Sequence, residues 1–180
     1  TGDQCGFCSL QEYTGSMQPT VEDVLEAVGA ALESDGIEVV YLSTGFADRP
    51  DGGVADLEPF IRGIKHRYNV LIAVDALPPK HNRWIDRTYA MGVDAISYNL
   101  EIFDSAGFDR ICPGPSKHIG RDRFFEALDY AVSVFPAGAV ICHLMVGMES
   151  LESTRAGIDA LTERGVTPVL PLFRPFRGVD

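Results

Sequence analysis

Positive charge is scarce in this chain: 15 lysines and arginines stand against 26 acidic residues, a net charge of −11 over 180 residues. Phosphate recognition needs a basic face, so a general nucleic-acid or membrane-surface role is excluded. No apolar run reaches the length of a membrane span, and no signal peptide is visible. The expected compartment is therefore the cytoplasm. A second Cys-x-x-Cys pair is also missing. Cys112 and Cys142 stand singly, which is poor spacing for a structural zinc site. None of Lys65, Lys80 and Lys117 ends a strand-like run, which counts against an aldolase-type barrel working through a Schiff base. The chain opens on Thr1 rather than Met and closes on Asp180 after an apolar run. It is expected to be one domain, 1–180, cut at both ends from a longer protein. Hydrophobic content of 46% and charged content of 23% are ordinary for such a globular unit.

Against these absences, Cys5-Gly6-Phe7-Cys8 stands out. Two thiols two residues apart, with an aromatic before the second, make a soft-donor pocket suited to zinc or an iron–sulfur cluster. Cys5 and Cys8 are the candidate metal ligands. A pair is only part of a ligand set. Half of a zinc site, a redox dithiol and a disulfide all remain open on spacing alone. A thioredoxin-like motif would open a helix, whereas Gln11 to Pro19 read as loop.

Two periods alternate along the rest of the chain. Helical spacing marks Thr20–Ser34, Leu57–Arg67, Arg83–Met91, Asp122–Val134 and Leu151–Arg164. Short β-branched runs mark strands at Ile37–Leu42, Asn69–Val74, Asp94–Tyr98, Ala139–Val146 and Val166–Leu172. Thr20 with Asp23 three residues on is a helix start, and Gly36 a helix stop. Gly also stands before the strands at Gly92 and Gly165. Strands apolar on both faces and joined through helices imply a parallel sheet. The repeat favours a partial (β/α)6 TIM-like barrel over an open doubly wound sheet, with the first strand lying upstream of Thr1.

In such arrays the chemistry gathers at the carboxyl ends of the strands. There the chain places Ser43-Thr44-Gly45, then Asp75, then Asn99 and Glu101, then His143 to Glu149 and finally Arg174 and Arg177. Asn99 and Glu101, two apart on a strand, share a face and suit a ribose diol. Cys142 reads as a core residue, Cys112 as a loop thiol, and His143 as either a core group or a proton donor.

Taken together, these motifs resemble the radical S-adenosylmethionine (SAM) enzymes, and most closely their biotin synthase and lipoyl synthase branch. The family loop is CxxxCxxC with an aromatic before the last Cys; Cys5, Phe7 and Cys8 match its second half, while the first Cys falls on Thr1. Ser43-Thr44-Gly45 resembles the small stretch that holds the methionine amino group. Tyr98-Asn99-Leu100-Glu101 is similar to the ribose motif. Val146-Gly147-Met148-Glu149 resembles the stretch beside the adenine, although His143, Met145 and Ser150 depart from its pattern. The resemblance implies a [4Fe–4S] cluster and SAM as cofactors. It implies reductive cleavage of SAM to a 5′-deoxyadenosyl radical, and a small-molecule substrate. It also implies an electron donor such as flavodoxin or ferredoxin. Under it, Arg121 and Arg123 are candidates for the methionine carboxylate, and Gly147 and Met148 for the adenine.

Overall fold

The computed structural model describes residues 4–8, 19–46 and 48–175. The Thr1 position and Arg177 lie outside them, as does the loop reading of Gln11 to Gln18. The elements run α1 (Val21–Asp35), β1 (Val39–Ser43), α2 (Val54–Arg67), β2 (Leu71–Asp75), α3 (Arg83–Ala90) and β3 (Ala95–Ser97). They continue α4 (Ser105–Ile111), α5 (Pro113–His118), α6 (Arg121–Val134), β4 (Val140–His143), α7 (Leu151–Glu163) and β5 (Thr167–Val169).

Local chemistry sets these boundaries. Thr20 Oγ1 accepts the Asp23 amide at 3.2 Å, and the Asp23 carboxylate accepts the Thr20 amide at 2.8 Å, closing a reciprocal cap on α1. Gly36 ends that helix in the left-handed region at φ 61°, and Gly165 adopts φ 78° before β5. The sequence pattern gives no element between Tyr98 and Asp122, yet two short helices lie there. The Asp104 carboxylate caps α4 by accepting from the Gly107 amide at 2.6 Å. Pro113 opens α5, where its missing N–H is not needed. A run rich in Gly and Pro thus hides two helical turns. The expected strand Ala139–Val146 is shorter in the fold. Beyond His143 only isolated bridges remain, Glu101 with Leu144 and Val146 with Leu172.

The five strands are parallel and lie in the order β1-β2-β3-β4-β5. A doubly wound sheet reverses its order at a switch point; this one never does, which is the winding of a barrel. The barrel is partial. Ile72, Ala73 and Val74 are successive buried residues of β2, because helices cover one face and the barrel interior the other. Ile61, Ile64, Ile85, Phe124 and Leu128 carry the helices onto the sheet, each with no exposed surface. On β1 the inward row is open, with Val39 and Tyr41 half exposed. The parallel register sets Ser43 beside Asp75, and Asp75 beside Ser97, so the polar strand ends come level.

Candidate functional site

The carboxyl ends of β1, β2 and β3 and the Cys5–Cys8 loop enclose a cavity of about 190 Å³. Cys5, Cys8, Ser43, Thr44, Gly45, Asp75, Asn99 and Glu101 line it, with Phe7, Phe46 and Leu77 as apolar wall. The Cys loop is fixed by backbone bonds. The Cys8 amide donates to the Cys5 carbonyl at 3.1 Å, and the Gly6 amide to the Ile111 carbonyl at 2.8 Å. The Gln4 side-chain amide also donates to the Cys8 carbonyl. Both thiols therefore border one space. The neighbouring Cys112 thiol draws the Cys5 thiol below its ordinary value, against the opposing effect of burial.

A rung of hydrogen bonds crosses four strand ends. Ser43 Oγ donates to Asp75 Oδ2 at 3.3 Å, and Asn99 Nδ2 to Asp75 Oδ1 at 2.9 Å. Asn99 Oδ1 accepts from Ser97 Oγ at 2.5 Å and from the His143 amide at 3.0 Å. Asn99 is thus oriented by its neighbours, leaving its second amide hydrogen for a ligand. Asp75 is the anchor of the rung, and the sequence marks it only as one polar strand end among several. Burial lifts its carboxyl to about 6, against the lowering effect of the Ser43 bond.

Glu101 reaches the cavity by an unexpected route. It lies past the end of β3 and holds φ 65°, the one left-handed non-glycine residue among those described. Leu100 and Ile102 are both fully buried, and the Ile102 amide closes onto the Leu100 carbonyl at 2.8 Å. That tight turn projects Glu101 to the cavity side. The shared face with Asn99 is therefore made by a turn and not by strand alternation. The Glu101 Oε2 atom is buried without a partner. Burial first, then the nearby Asp75 and Cys5, push its carboxyl up to about 8.

The remaining candidates lie elsewhere. Gly147, at φ 101°, and Met148 follow β4 at the same end of the sheet but do not line the cavity. Glu149 caps the turn after Ile102, accepting from the Phe103 and Asp104 amides at 3.1 and 2.8 Å. Arg121 is sandwiched by Phe103 and Phe125, 4.7 and 4.8 Å from the ring centroids, and donates to the Phe103 carbonyl. Arg123 donates to the Pro79 carbonyl at 2.8 Å and to Asn82 Oδ1 at 2.7 Å. Neither arginine lines the thiol cavity. Cys142 is core, accepting the Leu100 amide at 3.4 Å. His143 is half-buried, and desolvation lowers its imidazole value. Arg174 is exposed.

The whole chain superposes on methylornithine synthase with a TM-score of 0.76 at 16% identity, covering 98% of this chain and 51% of the synthase. It superposes on a radical SAM methyltransferase from Sphaerobacter thermophilus with a TM-score of 0.63 at 14% identity, covering 98% and 63%. This is the fold of the radical SAM enzymes. In sequence, the chain is 24% identical over 110 residues to the bacteriochlorophyllide c C-7(1)-hydroxylase of Chlorobaculum limnaeum, 61% of this chain and 27% of the hydroxylase. The chain thus spans about a quarter of that relative's length and about half of the synthase's. No family model matches it. No helix among the described residues is long and apolar enough to cross a membrane.

The site fits the radical SAM cofactors in donor chemistry. Cys5 and Cys8 offer two soft thiols, and Glu101 offers a buried oxygen without a partner. No group of three or more Cys, His, Asp or Glu side chains among the described residues could hold a metal ion. A three-thiolate cluster therefore needs one ligand from outside them.

Asp75 gives a test of this electrostatic picture. A carboxyl raised on folding adds stability below its unfolded value of 3.8, and that stability is lost as pH rises through about 6. Wild-type protein is expected to lose up to about 3 kcal/mol across this window from this one group. Asp75→Asn keeps the shape and the Asn99 bond and is expected to flatten the profile. Urea denaturation at about pH 4.5 and 7.5 checks it; the same slope in both proteins would refute the assignment.

Proposed function

We propose that this chain is the core of an enzyme that reductively cleaves SAM at a [4Fe–4S] cluster and abstracts hydrogen from a small-molecule substrate. The observation that carries the reading is the buried, unpartnered Glu101 carboxyl oxygen in the same cavity as Cys5 and Cys8. A buried polar atom without a partner is costly, and a ligand hydroxyl relieves that cost.

Cys5 and Cys8 would hold two cluster irons as thiolates. When bound, such a cluster would supply the single electron for reductive cleavage of SAM. The chain binds, orients and excludes water. Glu101 accepts from the ribose hydroxyls, and Asn99, held by Asp75, Ser97 and His143, offers its remaining N–H. Ser43, Thr44 and Gly45 lie across the cavity, where the methionine amino group needs acceptors. Gly147 and Met148 lie at the same end of the sheet outside the cavity, so they would meet the adenine only where the cofactor extends beyond it. Contact from Arg121 or Arg123 to the methionine carboxylate requires each to exchange its present carbonyl partner. Phe7, Phe46 and Leu77 keep the reacting space dry.

The donor is expected to be a small electron-transfer protein such as flavodoxin or ferredoxin. A methylornithine synthase and a bacteriochlorophyllide hydroxylase act on unrelated molecules, so their likeness supports the chemistry and not one substrate. A metal- or cluster-holding scaffold without radical chemistry is the second reading, favoured by the two thiols that line the cavity among the described residues. Anaerobic reconstitution of the full-length protein, reduction and addition of SAM separate the two. The enzyme forms 5′-deoxyadenosine; a scaffold binds iron and forms none.

A further inference from the structure

A second cavity, of about 230 Å³, opens between the loops that follow β1 and β2 and the junction of α5 with α6. It adjoins the thiol cavity. Leu77 is a wall of both, and Phe46 of the thiol cavity meets the His118 ring of the second, with centroids 6.0 Å apart. Its charge is unlike that of the chain as a whole. Three of the 15 lysines and arginines, Arg49, Lys80 and Arg123, line it together with His118. Asp48 is the one lining carboxylate among the described residues.

The walls are fixed. A Cβ on Gly52, at φ 69°, would stand 2.1 Å from the Leu77 carbonyl oxygen, so the two loops lie flat on each other only with glycine there. The Lys80 amide donates to the Pro50 carbonyl at 2.9 Å. Arg123 is mostly buried and is pinned by the Pro79 carbonyl and Asn82. The other acids stand outside the cavity. Asp51 pairs with Arg49 at 3.3 Å and accepts the Ala55 amide, while Asp56 on Arg49 and Glu126 on Arg123 are exposed.

Asp48 shows how an anion sits among these groups. Its Oδ1 lies 3.2 Å from Lys80 Nζ and its Oδ2 3.1 Å from His118 Nδ1. One oxygen for each of two donors is the arrangement that a ligand carboxylate or phosphate would take. Asp48 is itself exposed, and exposed ion pairs contribute little, so an entering anion can exchange with it at low cost. Arg123 keeps N–H groups beyond those given to Pro79, Asn82 and Glu126.

We propose that this cavity binds the carboxylate or phosphate end of the small-molecule substrate, and that Asp48 competes with that end for Lys80 and His118. The wall shared at Leu77 then leads the rest of the substrate to the thiol cavity. The assignment to a substrate rests on the proposed function.

The test titrates full-length protein with glutarate and with inorganic phosphate, by calorimetry, before and after anaerobic reconstitution. Lys80→Gln is expected to weaken the better-bound probe about tenfold, or about 1.4 kcal/mol. Asp48→Asn removes the competitor and should tighten binding severalfold, a gain that damage to the fold would not produce. Arg62→Gln removes an exposed α2 charge paired with Glu58 and should match wild type. The preferred probe says which of the two anions the substrate carries. In the reconstituted protein the probe should still bind with SAM present. Wild type that binds neither probe overturns the inference, as do unchanged affinities in both Lys80→Gln and Asp48→Asn, or an equal loss in Arg62→Gln. Displacement of the probe by SAM gives the cavity to the cofactor and overturns the substrate assignment. All of these leave SAM cleavage standing. A reconstituted wild type that forms no 5′-deoxyadenosine overturns the proposed function, and the substrate assignment with it.

Discussion

Cys5→Ala and Cys8→Ala are each expected to abolish the visible absorption of the cluster in reconstituted full-length protein. Each thiolate is one of three protein ligands in this reading, and a carbon side chain cannot replace a soft donor. The effect should be near total and not graded, because losing a ligand lets the cluster dissociate. The Cys8 side chain borders the cavity, so its loss tests ligation directly. Full iron retention in both variants would end the cluster assignment. Circular dichroism provides the control. The loop holds itself by backbone bonds from Gly6 and Cys8, so the fold should survive both changes.

Glu101→Gln and Glu101→Ala are expected to weaken SAM binding with the cluster intact. With its carboxyl raised to about 8, Glu101 is largely protonated near neutral pH, and a hydrogen bond to such a group is worth about 0.5–1.5 kcal/mol, or up to roughly one decade in affinity. The glutamine keeps the side-chain volume and one acceptor oxygen, so it should lose less than the alanine. The left-handed backbone at Glu101 is strained for either replacement alike, which cancels in their comparison. Calorimetric titration of the reconstituted variants measures the loss. Unchanged affinity, or cofactor and cluster lost together, would mean that Glu101 does not hold the ribose.

Much of this frame was legible before any coordinates. The reciprocal cap at Thr20 and the glycines before strands are local devices, and local chemistry decides them. The alternation of short apolar runs with helical spacing gave a parallel sheet because both faces of β2 must be covered. Long-range pairings were not legible. Nothing in the chain announces that the Gly6 amide meets the Ile111 carbonyl, or that Asp75 fixes the amide of Asn99. Those contacts follow from register and from the path of α4 and α5, which Gly and Pro disguise. Arg121 shows a different limit of sequence reading. A cation near a motif suggests an anion, yet two phenyl rings and a carbonyl account for its position.

The unreversed strand order also sets a schedule. Ser43 and Asp75 are 32 residues apart, Asp75 and Asn99 are 24 apart, and Asn99 and His143 are 44 apart. Closure entropy grows slowly with length, so the last of these is the most demanding by only a fraction of a kilocalorie. Timing matters more. At roughly 5–20 residues per second, a ribosome exposes His143 about 2–9 s after Asn99. During that interval the nascent chain can pair β1, β2 and β3, yet Asn99 Oδ1 still lacks the His143 amide that donates to it. The thiols of the Cys loop therefore emerge well before the Asn99 side of their cavity is fixed.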